Sequence, residues 1–152
     1  MNDDFRDILE LLLEQGAEFV IVGAHALAVH GAARATGDID LLVRPSRENA
    51  ERVCAALREF GAPLRAHGVG PDELSVEGNV YQLGLPPRRI DVLTRIDGVS
   101  FDEAWDGRVV IEAAGMSLPV LGRSELVRNK QATGRAKDLA DIALLEESDE
   151  GR

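Results

Sequence analysis

Phe5, Ile8, Leu9, Leu12 and Leu13 recur at the spacing of one helical stripe, so the chain is expected to open with an amphipathic helix from about Asp3 to Gln15. Asn2 or Asp3 can cap its start, and Gly16 ends it. Glu18 to Val22 is a short β-branched run that reads as a buried strand, broken by Gly23. Ala24 to His30 allows about two helical turns, and Ile39 to Val43 forms the next strand. After Pro45-Ser46 a helix runs to Phe60 with Ala50, Val53, Cys54 and Leu57 facing inward. Periodicity is lost from Pro63 to Gly78, which predicts a mobile loop flanking the site, with at most one short edge strand or helix.

Val80–Leu85 and Arg89–Leu93 then read as a hairpin joined through Pro86-Pro87. A helical turn capped by Ser100 follows at Phe101–Trp105, then short strands at Val109–Glu112 and Ser117–Leu121. Helices from Arg123 to Thr133 and Ala136 to Glu147 finish the chain, and residues 148–152 read as a frayed tail. Helices alternating with short strands indicate an α/β (α+β) layer fold. The absence of a linker or repeat makes 1–152 a single domain.

Composition narrows the class. With 45% apolar and 29% charged residues the chain is an ordinary globular sequence. No apolar run approaches the ~20 residues that span a bilayer, so no membrane partner and a cytosolic location are expected. The single Cys54 excludes an internal disulfide and a cysteine zinc cluster, and its helical neighbours make it a core residue. A net charge of −10 argues against a general nucleic-acid surface. Much of the acid lies at the termini, whereas Arg34, Arg44, Arg47, Arg88, Arg89, Lys130, Arg135 and Lys137 lie near the motifs below. A basic floor of this kind suits a polyanionic small molecule; a solvated surface is the alternative.

The candidate chemistry centres on Asp38 and Asp40. Carboxylates one residue apart on a strand point to the same side and repel unless a cation lies between them. Their strand is largely apolar, and acids at the end of a buried strand are costly unless paired or metal-bound. Mg²⁺ suits such a pair, being a hard ion that takes one or two carboxylates plus phosphate oxygens. Upstream, the Gly23 turn opens a short helix whose free N–H groups suit a phosphate. Asp91 is a third acid among apolar strand residues. If its strand pairs beside the first, three carboxylates could hold two ions; a salt bridge to Arg88 or Arg89 is the alternative.

The run VGAHALAVHGAARATGDIDLLV, with 13 residues between Ala24 and Asp38, resembles the signature of the nucleotidyltransferase (polymerase-β-like) superfamily. More narrowly, three runs resemble the small bacterial AbiEii-type abortive-infection nucleotidyltransferases: HG-x-x-R-x-T-x-DID-LLV, the QLG-x-PP-x-RID-x-LT run at Gln82 to Thr94, and a closing run of Lys130, Gly134, Arg135, Lys137, Asp138 and Asp141. The resemblance implies a short mixed sheet with flanking helices and a C-terminal helical element closing a cleft. It implies transfer of a nucleoside monophosphate from a nucleoside triphosphate to an acceptor hydroxyl on tRNA, a protein or a small molecule. By the same resemblance Asp38, Asp40 and Asp91 bind one or two Mg²⁺ ions, and Asp91 helps activate the acceptor. Gly23 and Ala24 would hold the outer phosphates, Arg34 would reach a phosphate, Thr36 would fix the loop, and Lys130 and Arg135 would meet the triphosphate. Asp138 or Asp141 would be a buried partner of Lys130 or Arg135. His30 is read as a structural hydrogen bonder, and His25 and His67 are given no role.

The resemblance also makes a toxin–antitoxin partner plausible, and a homodimer is an open expectation. The turn here reads Gly23-Ala24, where the family carries Gly-Gly or Gly-Ser; alanine keeps the backbone donor and lacks a hydroxyl. That substitution is the feature favouring a second reading, a non-catalytic nucleotide- or partner-binding module of antitoxin or regulatory type. A third is an acidic structural domain that binds Ca²⁺.

Overall fold

A computed structural model describes residues 1–32 and 37–150, with side chains described to 147. Six strands form one mixed sheet: β1 (Phe19–Val22), β2 (Ile39–Val43), β3 (Val80–Leu83), β4 (Ile90–Leu93), β5 (Val109–Ala113) and β6 (Met116–Val120). Their spatial order is β3-β4-β2-β1-β6-β5. The two hairpins at the edges, β3–β4 and β5–β6, are antiparallel, as is the central β1–β2 pair. Both joins between these pairs, β2–β4 and β1–β6, are parallel. The α/β class and the mixed sheet expected from the sequence are what the chain adopts.

Helix α1 (Asp3–Glu14) starts where the Asn2 side chain accepts a 2.9 Å hydrogen bond from the Phe5 N–H, and it buries Phe5, Ile8, Leu9 and Leu12. It packs on α3 (Arg47–Phe60), which is capped by the Ser46 hydroxyl and ends at Gly61 with φ +105°. Gly61 suits that left-handed end, since a Cβ there would be strained. Buried Asn49 ties α3 to the sheet. Its carbonyl accepts from the Glu18 N–H at 2.7 Å, and its amide donates to the Glu18 and Arg44 carbonyls. Those bonds fix the outer ends of β1 and β2 against each other, and so the register that decides where Asp40 falls. Cys54 is buried in α3 as expected.

The segment from 63 to 78 departs from the sequence-based expectation. It forms two short helices, α4 (Leu64–His67) and α5 (Pro71–Leu74), whose Leu64 and Leu74 are buried among the core residues beside α3. His67, expected to lack a partner, lies 2.8 Å from the Tyr81 hydroxyl through Nδ1. The glycines at 68, 70 and 78 flank helices of a single turn, too short to show a helical period. None of these residues lines the cleft described below.

Four further helices complete the chain: α2 (Gly23–Val29), α6 (Phe101–Asp106), α7 (Arg123–Thr133) and α8 (Ala136–Glu150). Ser100 and Glu103 form the reciprocal cap at the start of α6, and Trp105 stacks on Phe101 there. Helices α7 and α8 pack on each other across Gly134, whose φ of +62° makes the break. Among the described residues, no helix is long and apolar enough to cross a membrane.

Candidate active site

The parallel register of β2 and β4 sets Asp40 directly beside Asp91, and the antiparallel register of β1 and β2 sets Asp40 opposite Val22. Asp38 lies one residue before β2 and, by the two-residue period, on the same side as Asp40. The chain turns immediately after Val22, so Gly23 crosses over Asp40. With φ +70°, a Cβ on Gly23 would lie 2.2 Å from the Asp40 carboxylate oxygen Oδ2. Only glycine fits both the backbone and the contact.

Three carboxylates converging from two strands have an electrostatic cost. Asp40 is pushed up to about 7, first by burial, then by its hydrogen bond to Asp91, then by the negative charges of Asp91 and Asp38. Arg89 offsets part of this. Its Nε and Nη2 donate to the two oxygens of Asp91 at 2.7 and 3.2 Å, and Nη2 also lies 3.4 Å from Asp38 Oδ2. The Arg89 backbone N–H donates to Asp38 Oδ1 at 2.9 Å. The sequence offered two alternatives for Asp91, cation ligand or salt-bridge partner, and in this structure the salt bridge is made.

A cleft of about 480 Å³ opens from Asp40 toward α7 and α8. Gly23 and Ala24 line one side, and Lys130, Arg135, Asp138 and Asp141 line the other. Lys130 is buried, with Nζ 3.0 Å from Asp141 Oδ2 and 3.5 Å from Asp138 Oδ1. Arg135 forks onto Asp138 through Nε at 2.7 Å and Nη2 at 3.2 Å, and its own N–H adds a third bond. These bonds from Arg135 hold the Asp138 carboxyl well below the usual carboxylate range. Asp138 and Asp141 lie three apart and share a helix face, which turns both toward α7.

Not every residue singled out in the sequence comes to the cleft. Asp38 and Asp91 do not line it and adjoin it through Asp40 and Arg89. His30, at the end of α2, reaches the Leu121 carbonyl from Nε2 at 2.7 Å and so ties α2 to the chain following β6. Arg34 and Thr36 lie outside the described residues. Conversely, Leu27, Leu93, Ile96 and Asn129 line the cleft without having been expected there, and so does the exposed Lys137. Leu93 could have been read from the two-residue step beyond Asp91; Ile96 and Asn129 carry no local signal.

Among the described residues, no three His, Cys, Asp or Glu side chains form a ready cage for an ion. The donor set nevertheless fits a hard divalent cation. Asp40 and Asp91 are neighbours on one face, their oxygens are the ligand type Mg²⁺ prefers, and the crowding that raises Asp40 is what a cation relieves.

This arrangement agrees with an independent comparison of the whole chain. The family of the nucleotidyl transferase AbiEii toxin, type IV toxin–antitoxin system, matches residues 8–151. The chain belongs to this family. It is thus a nucleotidyltransferase of the toxin–antitoxin class. No curated protein matches it. Among solved structures it is similar to a candidate nucleotidyltransferase of Thermotoga maritima, with 17% identity and a TM-score of 0.57 over 97% of this chain and 91% of that one. At that identity the likeness is one of fold. As an AbiEii-family chain it carries the D-x-D acids at the start of β2 and the lysine-bearing helical pair across the cleft, as the sequence runs indicated.

Proposed function

We propose that this chain is an Mg²⁺-dependent transferase that moves a nucleoside monophosphate from a nucleoside triphosphate to an acceptor hydroxyl. The observation that carries the reading is the side-by-side placement of Asp40 and Asp91, with Asp38 on the same face, at the mouth of a cleft whose far wall carries Lys130, Arg135 and Lys137. Asp38, Asp40 and Asp91 hold the cation. When bound, Mg²⁺ supplies charge neutralisation at the triphosphate and the departing pyrophosphate. Gly23 leaves room for a phosphate chain to pass close to the backbone beside Asp40, with Ala24 contributing its N–H. Lys130 and Arg135 orient the triphosphate from the helical side, and Asp138 and Asp141 hold those cations in place. The acceptor oxygen bonds to the α-phosphorus as the bond from that phosphorus to the bridging oxygen breaks. The acceptor proton passes to Asp91, and pyrophosphate leaves. Arg34 and Thr36 are assigned to the loop before β2, where they meet phosphate and steady the turn.

The acceptor is a hydroxyl on tRNA, a protein or a small molecule, and the enzyme acts in the cytosol under the control of an antitoxin partner. The charge of −10 favours a compact acceptor over an extended nucleic-acid track. Calorimetry with Mg²⁺ and each of the four common nucleoside triphosphates tests the reading. At least one is expected to bind wild type at least tenfold more tightly than a folded Asp38→Ala/Asp40→Ala double variant. Equal affinity for all four would overturn it.

A further inference from the structure

Arg89 touches two of the three carboxylates at once. Its forked contact engages both oxygens of Asp91, and the same Nη2 lies near Asp38. A guanidinium fork on both oxygens uses the positions through which a carboxylate would ligate an ion. Arg89 precedes Asp91 by two residues at the edge of β4, so the extended backbone aims both side chains to one side. The guanidinium is therefore tethered to the acids it neutralises, at high local concentration. It also has a way out, because the Arg89 side chain is 28% exposed while that of Asp91 is 8% exposed. This contact explains why acids brought together by strand register form no ready cage: Asp38 and Asp91 are engaged by Arg89.

We infer that Arg89 is a built-in competitor for the cation site. It holds Asp38 and Asp91 while no divalent ion is bound, and loading the site requires its guanidinium to leave them. The inference rests on the assignment of Asp38, Asp40 and Asp91 as cation ligands, and it adds a self-occupied resting state to that assignment. A tethered cation bearing one charge lowers apparent metal affinity by the fraction of molecules in which it is bound. It also keeps the acid cluster folded when metal is scarce.

The test titrates Mn²⁺ alone, without nucleotide, into wild type, Arg89→Gln and Arg89→Lys, following free Mn²⁺ by electron paramagnetic resonance and melting temperature in parallel. Arg89→Gln is expected to bind Mn²⁺ about tenfold more tightly than wild type, the size of effect set by losing a charge-assisted contact. Arg89→Lys, with one charge and no fork, is expected to fall between. The rise in melting temperature on adding Mn²⁺ is expected to be largest in Arg89→Gln. Equal or weaker binding in Arg89→Gln, with wild type still binding, would overturn the inference and leave the function standing. No binding by any of the three proteins would sink both. If Arg89→Gln does not fold, Arg89→Lys decides, since a competitor predicts tighter binding and an organiser of the acids predicts weaker.

Discussion

Lys130→Met is expected to destabilise the protein by about 3–5 kcal/mol, the cost of leaving a buried charge without its partner. The lysine Nζ lies 3.0 Å from Asp141 and 3.5 Å from Asp138, and both aspartates are fully buried. Asp138 retains the Arg135 fork in the variant, so the loss falls mainly on Asp141. Replacing both ends, as Lys130→Met/Asp141→Leu, is expected to recover most of the loss, because two apolar groups of similar volume need no partner. Urea unfolding of the three proteins at neutral pH checks this. A loss below about 1 kcal/mol in the single variant would show that the pair does not join α7 to α8 energetically. The double variant is expected to stay inactive even when stable, which separates holding the helices together from meeting the triphosphate.

Asp40→Asn is expected to move stability and activity in opposite directions. In the native protein the Asp40 carboxyl is pushed up to about 7, chiefly by burial. The unfolded chain releases that proton in the ordinary carboxylate range near 4. Between those values the unfolded state binds fewer protons than the native state, so stability falls as pH rises from about 4 to about 7 and then levels off. Asparagine cannot ionise and can still donate to Asp91. The variant should therefore lose this slope and, at pH 8 without metal, be more stable than wild type by up to about 2 kcal/mol. Adding Mn²⁺ should stabilise wild type at pH 8 far more than the variant. Activity should fall about a thousandfold, since a charged ligand in the cleft is removed. Thermal melts from pH 4 to pH 8 with and without Mn²⁺ read the stability arm, and a flat wild-type profile would contradict it. Asp138 does not confuse the result, because its lowered carboxyl gives up stability only as pH falls below the ordinary carboxylate range.

Much of this architecture was legible in local pattern. The stripe of α1, the inward face of α3, the D-x-D at the head of β2 and the Pro-Pro hairpin are features of consecutive residues, and the chain adopts all of them. Segment 63–78 was misread because its order comes from Leu64 and Leu74 entering the α3 side of the core, a tertiary effect on one-turn helices. The site itself depends on a long-range fact, the parallel register that sets Asp40 beside Asp91 across 51 positions. Alternating hydrophobicity shows which residues share a face, but it does not show which strand lies next to which. Likewise Arg89 is visible in the sequence as a possible partner of Asp91, while its reach to Asp38 follows only once β2 and β4 are neighbours. Ile96 and Asn129 enter the cleft only through the docking of α7.

The measurement closest to the central claim is transfer of label from an α-phosphate-labelled nucleoside triphosphate, with pyrophosphate release followed in the same reaction. Wild type with Mg²⁺ should release pyrophosphate and place label on an acceptor, its own chain included, with both signals lost in folded Asp38→Ala and removed by a chelator. Label transfer that persists in folded Asp38→Ala would contradict the assignment of the carboxylate cluster as the catalytic centre.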